Sequence, residues 1–288
     1  MSYYKVLGFE KEPFSTSPDP EFFYLSCAHE TALTNILIEL RLKRGLSVIL
    51  GDIGTGKTSL SRKLIQELRQ REDFIFHMIL EPSFESEGVF LNYLLRNFDI
   101  PAPGPQATIL DLRGALEQFL FKKGVAEKRT VCLIIDEAQK LNEMSLEVLR
   151  VLLNYETNEY KLLQLVLLGQ LELHSKIVNI PNFFDRISFK YTLNPLNYEE
   201  TKEMIEFRIR RAGYKASMHL FLEEGAREIY QYTRGYPRQI TMLCYKALKQ
   251  LVMRKEVVVS AKLIEEIVRD EVRSGWQRRD LLLQRESY

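Results

Sequence analysis

The stretch Gly51-Asp52-Ile53-Gly54-Thr55-Gly56-Lys57-Thr58 has the spacing GxxxxGK[ST], and each residue type in it suits a phosphate chain. Glycines let backbone N–H groups close around phosphate oxygens, and the N-terminus of a following helix adds positive potential. Lys57 reaches the outer phosphates, and the Thr58 hydroxyl takes a divalent metal. The flanks supply the context that such a loop needs. Leu46 to Leu50 is a short apolar run closed by glycines, and Leu60, Leu64, Ile65 and Leu68 recur at helical spacing in the segment opened by Ser59. That reads as strand, glycine loop, helix, with residues 51–59 as the nucleotide-contacting set.

A second constellation needs carboxylates. Val131-Cys132-Leu133-Ile134-Ile135 is a buried strand pattern ending in Asp136-Glu137, and open α/β sheets present groups to ligand at such strand ends. Asp136 is placed to hold Mg²⁺ through water, and Glu137 to polarise the water that attacks the outer phosphate. A third strand pattern, Leu163 to Leu168, runs into Gly169-Gln170. Gln170 there either senses the γ-phosphate and lytic water or caps a turn.

These groups need a scaffold. Apolar runs at Phe74 to Leu80, Val131 to Ile135 and Leu163 to Leu168 alternate with helical stretches near Val89 to Phe98, Ile109 to Lys123 and Met144 to Asn154, after a first amphipathic helix at His29 to Arg44. Alternation of this kind predicts an α/β fold, a parallel sheet between helical layers. Beyond Asn194-Pro195 the strands all but stop. Helical patterns follow at Tyr198 to Ala212, Leu220 to Thr233, Pro237 to Arg254 and Ser260 to Arg273. The expected division is a three-layer domain over 1–195, a smaller all-helical lid over 196–273 and a tail over 274–288. The first 25 residues, with Pro13, Pro18 and Pro20 among Tyr3, Tyr4, Phe9, Phe14, Phe22, Phe23 and Tyr24, read as an ordered, non-helical arm of the first domain. Pro101 to Pro105 reads as a surface loop.

Composition bounds the rest. With 288 residues, 45% hydrophobic and 27% charged, the chain can bury a sizeable core. A formal net charge of +1 removes the global basic excess that drives non-specific nucleic-acid binding, so any such partner would need a local patch. No apolar run approaches the roughly 18–20 residues that span a bilayer, and the start lacks a signal-peptide pattern. A cytoplasmic location follows as the expectation. Cys27, Cys132 and Cys244 have no metal-ligand or disulfide spacing and read as reduced thiols.

The chain resembles the ExeA/GspA-like AAA+ ATPases of bacterial secretion and surface-assembly systems, which are similar in turn to the ATPases of transposition systems. The resemblance runs over nearly the whole sequence: Gly8-Phe9, Pro13-Phe14, Pro18-Asp19-Pro20, Phe22-Phe23-Tyr24-Leu25-Ser26, His29, the phosphate loop, Leu133 to Gln139, Gly169-Gln170 and Gly235-Tyr236-Pro237-Arg238. It implies ATP and Mg²⁺ as ligands. It also implies that His29 and its aromatic neighbours lie near the adenine, although the same residues suit a core. The family pattern puts an arginine finger at Arg186, in Asn182-Phe183-Phe184-Asp185-Arg186-Ile187, and hence a homo-oligomeric ring or helix. Arg186 equally suits a snorkel beside Phe183 and Phe184. Arg238, after the helix-starting Pro237, is implied as the lid's γ-phosphate sensor, against a plain surface salt bridge.

Secretion members of the family continue into a transmembrane segment and a peptidoglycan-binding domain. This sequence ends at Tyr288 with neither, and the expectation is of no cell-wall role for the polypeptide itself. The last stretch, Arg269 to Tyr288, gathers Arg273, Trp276, Arg278, Arg279, Leu281-Leu282-Leu283 and Arg285. It suits a docking helix, a nucleic-acid-contacting tail or a helix packed on its own lid. Three functions fit the whole: an ATP-driven motor or switch acting on a protein partner of an envelope machine, peripheral at the inner membrane through that partner; a DNA-dependent ATPase of the transposition-regulator type; and a slow nucleotide-held timer.

Overall fold

The computed structural model describes residues 2–17, 19–104, 106–216 and 218–274. Pro18, Pro105 and the tail group from Trp276 to Arg285 lie outside the described residues. Two compact units divide the chain. One comprises Cys27–Ile53 and Lys57–Asn194, and the other Met1–Ser26, Gly54–Gly56 and Pro195–Tyr288.

The first unit is the α/β layer structure that the alternation predicts. Five parallel strands, β1 (Leu46–Gly51), β2 (Phe74–Ile79), β3 (Thr130–Ile135), β4 (Leu163–Gly169) and β5 (Ile187–Leu193), lie in the order β2-β3-β4-β1-β5. The three inner strands β1, β3 and β4 are buried along their whole length, which is why each reads as a solid apolar run. Their branched side chains form one core with the helices Glu87–Asn97, Ile109–Phe121 and Glu143–Leu152. Helix ends carry the expected caps. Ser86 accepts from the Val89 N–H, Thr108 and Asp111 make a capping box, and Asn142 accepts from the Ser145 N–H, each satisfying donors that a helix start leaves open.

β5 departs from the sequence reading, which stopped at four strands. Ile187, Phe189 and Tyr191 are half-buried while Ser188, Lys190 and Thr192 are exposed. An edge strand with one covered face shows alternation instead of a solid run. The helix after the glycine loop also begins earlier than Ser59. It spans Lys57–Arg69, so Lys57 and Thr58 belong to its first turn, where backbone N–H groups lack intrahelical partners.

The second unit is helical: Tyr198–Arg211, Glu223–Thr233, Pro237–Arg254 and Ala261–Arg273 pack around Ile229, Ile240, Leu248 and Ile264. The N-terminal arm belongs to this unit, not to the sheet domain with which the sequence reading grouped it. Arg208 explains the attachment. Only 8% exposed, it donates from Nε to the Pro13 carbonyl and from Nη2 to the Ser15 carbonyl, both at 2.8 Å, with the rings of Phe14 and Phe22 beside it. Burial lowers its pKa to about 10. The Glu10 N–H donates to the Ala212 carbonyl, and Tyr3 packs edge-on against Tyr245. The arm is irregular over most of its length, with one helical turn at Tyr3–Val6 and a 3₁₀ turn at Pro20–Phe22.

Candidate functional site

Parallel pairing brings the candidate site residues to one edge of the sheet. The register aligns Leu50 with Gly169, Ile135 with Leu167 and Gly51 with Leu193. The phosphate loop after β1, the carboxylates after β3 and Gln170 after β4 therefore leave the sheet at the same C-terminal edge.

In the loop, Gly54 and Gly56 have φ of +86° and +99°, a region that glycine enters without cost. Asp52 and Ile53 are exposed and Thr55 is fully buried. Lys57 is 6% exposed, and its ammonium donates to the Gly51 carbonyl at 2.6 Å and the Asp52 carbonyl at 2.9 Å. Burial lowers the lysine pKa, opposed by the charges of Glu137, Asp136, Asp52 and Glu172. Thr58 and Ser59 are half-buried, and the Thr58 carbonyl accepts from the Ser61 hydroxyl at 2.9 Å.

Asp136 is 1% exposed, its Oδ1 accepts from the Glu137 N–H at 2.9 Å, and the Thr58 side chain stands close enough to its carboxylate to lower its pKa. Burial raises the pKa of Asp136, with the neighbouring Glu137 charge acting the same way and the Thr58 side chain and the Glu137 N–H hydrogen bond acting against it. Glu137 adopts φ +52°, ψ +34°, a left-handed conformation that a non-glycine residue takes only where its surroundings enforce it. The turn directs Glu137 away from the strand line and opens the short helix Ala138–Lys140.

These residues fit a nucleotide with Mg²⁺. The buried ammonium rests on carbonyls of its own loop, and the Thr58 side chain stands beside the Asp136 carboxylate. Among the described residues no cluster of three His, Cys, Asp or Glu stands ready for a metal. Mg²⁺ needs only one or two protein oxygens, which the Thr58 hydroxyl and the Asp136 carboxylate would supply, and completes its shell with phosphate and water.

Gln170 is half-buried, and its backbone N–H donates to Gln139 Oε1 at 3.0 Å. Gln139 Nε2 in turn donates to Glu137 Oε2 at 2.7 Å, and Lys176 donates to the Gln139 and Leu141 carbonyls. Sequence reasoning gave Gln139 and Lys176 no role; the signal within reach was Gln139's place in the Asp-Glu-Ala-Gln stretch. His29 is 1% exposed inside the helix Cys27–Leu42.

Arg186 precedes β5, at the opposite, N-terminal edge of the sheet. It donates to Asn154 Oδ1 at 2.5 Å and to the Asn182 carbonyl, while its buried Nε has no partner among the described residues. At about 3.3 Å per residue, β5 holds it roughly 20 Å from the strand end that pairs with Gly51. In the helical unit, Arg238 is exposed at the second position of the helix Pro237–Arg254, after Gly235. Gly235 has φ +77°, and a Cβ there would stand 1.8 Å from the Leu196 carbonyl oxygen. Within the same unit the Arg238 N–H donates to the Gly54 carbonyl at 3.3 Å. Cys27, Cys132 and Cys244 are all free thiols. Among the described residues no helix is long and apolar enough to cross a membrane.

The family model of the AAA domain matches residues 40–177. General secretion pathway protein A of Aeromonas hydrophila is 34% identical over 248 residues, which are 85% of this chain and 44% of that protein. The chain thus spans less than half the length of this relative. Among solved structures, Cdc6p of Pyrobaculum aerophilum has a TM-score of 0.66 at 16% identity, over 86% of this chain and 67% of that one. The ORC2 protein of Aeropyrum pernix, in its ADPNP–ADP complexes, has a TM-score of 0.58 at 17% identity, over 83% and 66%. At such identities these two report the fold alone. The glycine loop, the acidic pair, the sheet order and the secretion-protein relative agree: residues 40–177 match the AAA domain, the fold is the P-loop αβα fold, and the chain is similar to the ExeA/GspA-like AAA+ proteins.

Proposed function

We propose that the chain binds ATP with Mg²⁺ and hydrolyses it, acting as an oligomeric motor or switch on a protein partner during assembly of a bacterial envelope or secretion machine. The observation that carries the enzymatic part is the buried Asp136 carboxylate, which accepts from the Glu137 N–H at 2.9 Å with the Thr58 side chain beside it. It sets a metal-ligand pair and a general base next to a loop whose lysine is buried without a fixed carboxylate partner. The 34% identity to a secretion-pathway protein supports the envelope setting.

Each residue then has a task. The loop N–H groups of 51–59 hold phosphate oxygens, and Lys57 exchanges its two carbonyl acceptors for the outer phosphates. Thr58 and Asp136 would hold Mg²⁺, which would supply charge neutralisation for the transferred phosphate. Glu137 orients and polarises the attacking water, Gln170 meets the γ-phosphate side of the site, and Arg238 reports nucleotide state to the helical unit. The buried His29 lines the base pocket from its helix. Arg186, held at the far edge of its own sheet, serves the site of a neighbouring subunit, which makes the active form a homo-oligomer.

The test is the ATP hydrolysis rate per subunit against protein concentration, with and without duplex DNA. A rate that rises with protein concentration alone supports the reading. A rate that rises only with DNA replaces it by a DNA-dependent ATPase, and a rate flat in both contradicts the oligomeric site.

A further inference from the structure

Gln139 joins two parts of the site through one carboxamide. Its NH₂ donates to Glu137 Oε2 at 2.7 Å, and its oxygen accepts from the Gln170 backbone N–H at 3.0 Å. Both ends are chemically fixed, because an ionised carboxylate only accepts and a backbone N–H only donates. A flipped amide would break both bonds at once.

The bridge stands on a firm base. A Cβ added to Gly169, the last residue of β4, would lie 3.3 Å from the Gln139 nitrogen, so the two backbones are in close approach. Lys176 ties down the Gln139 carbonyl at 2.5 Å and the Leu141 carbonyl at 3.0 Å. With the Gln139 backbone held, the carboxamide moves only by rotation about the three side-chain bonds that carry it. A shift of the Gln170 peptide therefore either loses the bond or turns the amide that Glu137 rests on.

We infer that Gln139 is a positioning residue that sets the orientation of the Glu137 carboxylate and ties it to the end of β4, so that water activation follows displacements of Gln170. The inference rests on the reading of Glu137 as the group that polarises the attacking water. Gln139 itself needs no contact with nucleotide; it acts through Glu137. A group in this role affects the hydrolysis step and leaves nucleotide affinity alone.

The experiment is single-turnover hydrolysis of ATP preloaded with Mg²⁺ on the full chain, with equilibrium ATP binding in parallel, for wild type, Gln139→Ala, Gln139→Glu and Glu137→Gln. Gln139→Ala is expected to slow hydrolysis about 10- to 100-fold, the usual cost of losing an orienting partner, with ATP affinity unchanged. Gln139→Glu keeps the shape but sets a second carboxylate against Glu137. The two charges repel, and the donor that holds Glu137 Oε2 is lost. Hydrolysis by this variant should therefore be slowed at least as much as that of Gln139→Ala while ATP affinity stays at the wild-type value, a split between hydrolysis and binding that a merely structural side chain would not produce. If Glu137→Gln hydrolyses at the wild-type rate, the assignment of Glu137 fails and the inference falls with it. If Glu137→Gln is inactive but both Gln139 variants keep the wild-type rate, only the role of Gln139 is overturned. Losses confined to ATP affinity overturn it equally.

Discussion

The Thr58 side chain stands against the Asp136 carboxylate, close enough to lower its pKa, so the first turn of the helix after the glycine loop meets the end of β3. The Glu137 N–H, donating at 2.9 Å, holds the Asp136 carboxylate at that place. The arrangement has a measurable cost, because Asp136 is 1% exposed and burial raises its pKa above the ordinary value of 3.8.

The sign of that cost is set by linkage. A carboxyl group whose pKa is raised in the folded state binds its proton more tightly there than in the unfolded chain. The penalty for ionising it is absent below the ordinary pKa, grows as pH rises toward the raised folded value, and then levels off. Asp136→Asn should therefore raise the melting temperature at pH 7.5, each kcal/mol being worth about 2–4 °C for a chain of this size. The gain should shrink as pH falls toward 4. Thermal unfolding at several pH values, without nucleotide, checks both the direction and the trend.

Lys57→Ala should remove ATP binding in the range where wild type binds. Charge-assisted hydrogen bonds are worth about 1.5–3 kcal/mol each, so losing one alone weakens affinity by about 10- to 100-fold. Equilibrium titration with a fluorescent ATP analogue measures it, and retained tight binding would refute the assigned phosphate loop.

Gly235→Ala should destabilise the helical unit by about 2 kcal/mol or more, since the new methyl group meets a backbone carbonyl in a left-handed conformation. The close approach to Leu196 leaves no rotamer to escape into. Limited proteolysis should then cut within 196–273 faster than in wild type.

Arg186→Ala should leave ATP binding intact and lower turnover by up to about 10³-fold, the scale of an arginine supplied to a phosphoryl-transfer site. Mixing it with Glu137→Gln subunits should restore activity, since each variant lacks what the other supplies across an interface. Mixtures no more active than the separate variants would place Arg186 outside the reaction.

What the sequence made legible follows from how locally each feature is determined. The glycine loop and the acidic pair are written in consecutive residues, and the solid runs of β1, β3 and β4 reflect burial on both faces. β5 was missed because an edge strand alternates, and Phe189 and Tyr191 are separated by the exposed Lys190. The arm was placed on the wrong unit because its proline-aromatic pattern says only that it packs. Its partner is the buried Arg208, 193 and 195 positions away from Ser15 and Pro13, acting on backbone carbonyls that carry no sequence signal. Gln139 was visible as part of a distinctive stretch. Its task appears only when the Gln170 N–H, 31 residues on, is brought beside it.

The central claim is that this chain splits ATP with Glu137 as the base. Steady-state phosphate release by the purified full chain with ATP and Mg²⁺, for wild type and Glu137→Gln, tests it most directly. The account predicts turnover by wild type and a loss of about 10²–10⁴-fold in Glu137→Gln, with ATP still bound by the variant. Equal turnover in both, or none in wild type at any protein concentration, would contradict it.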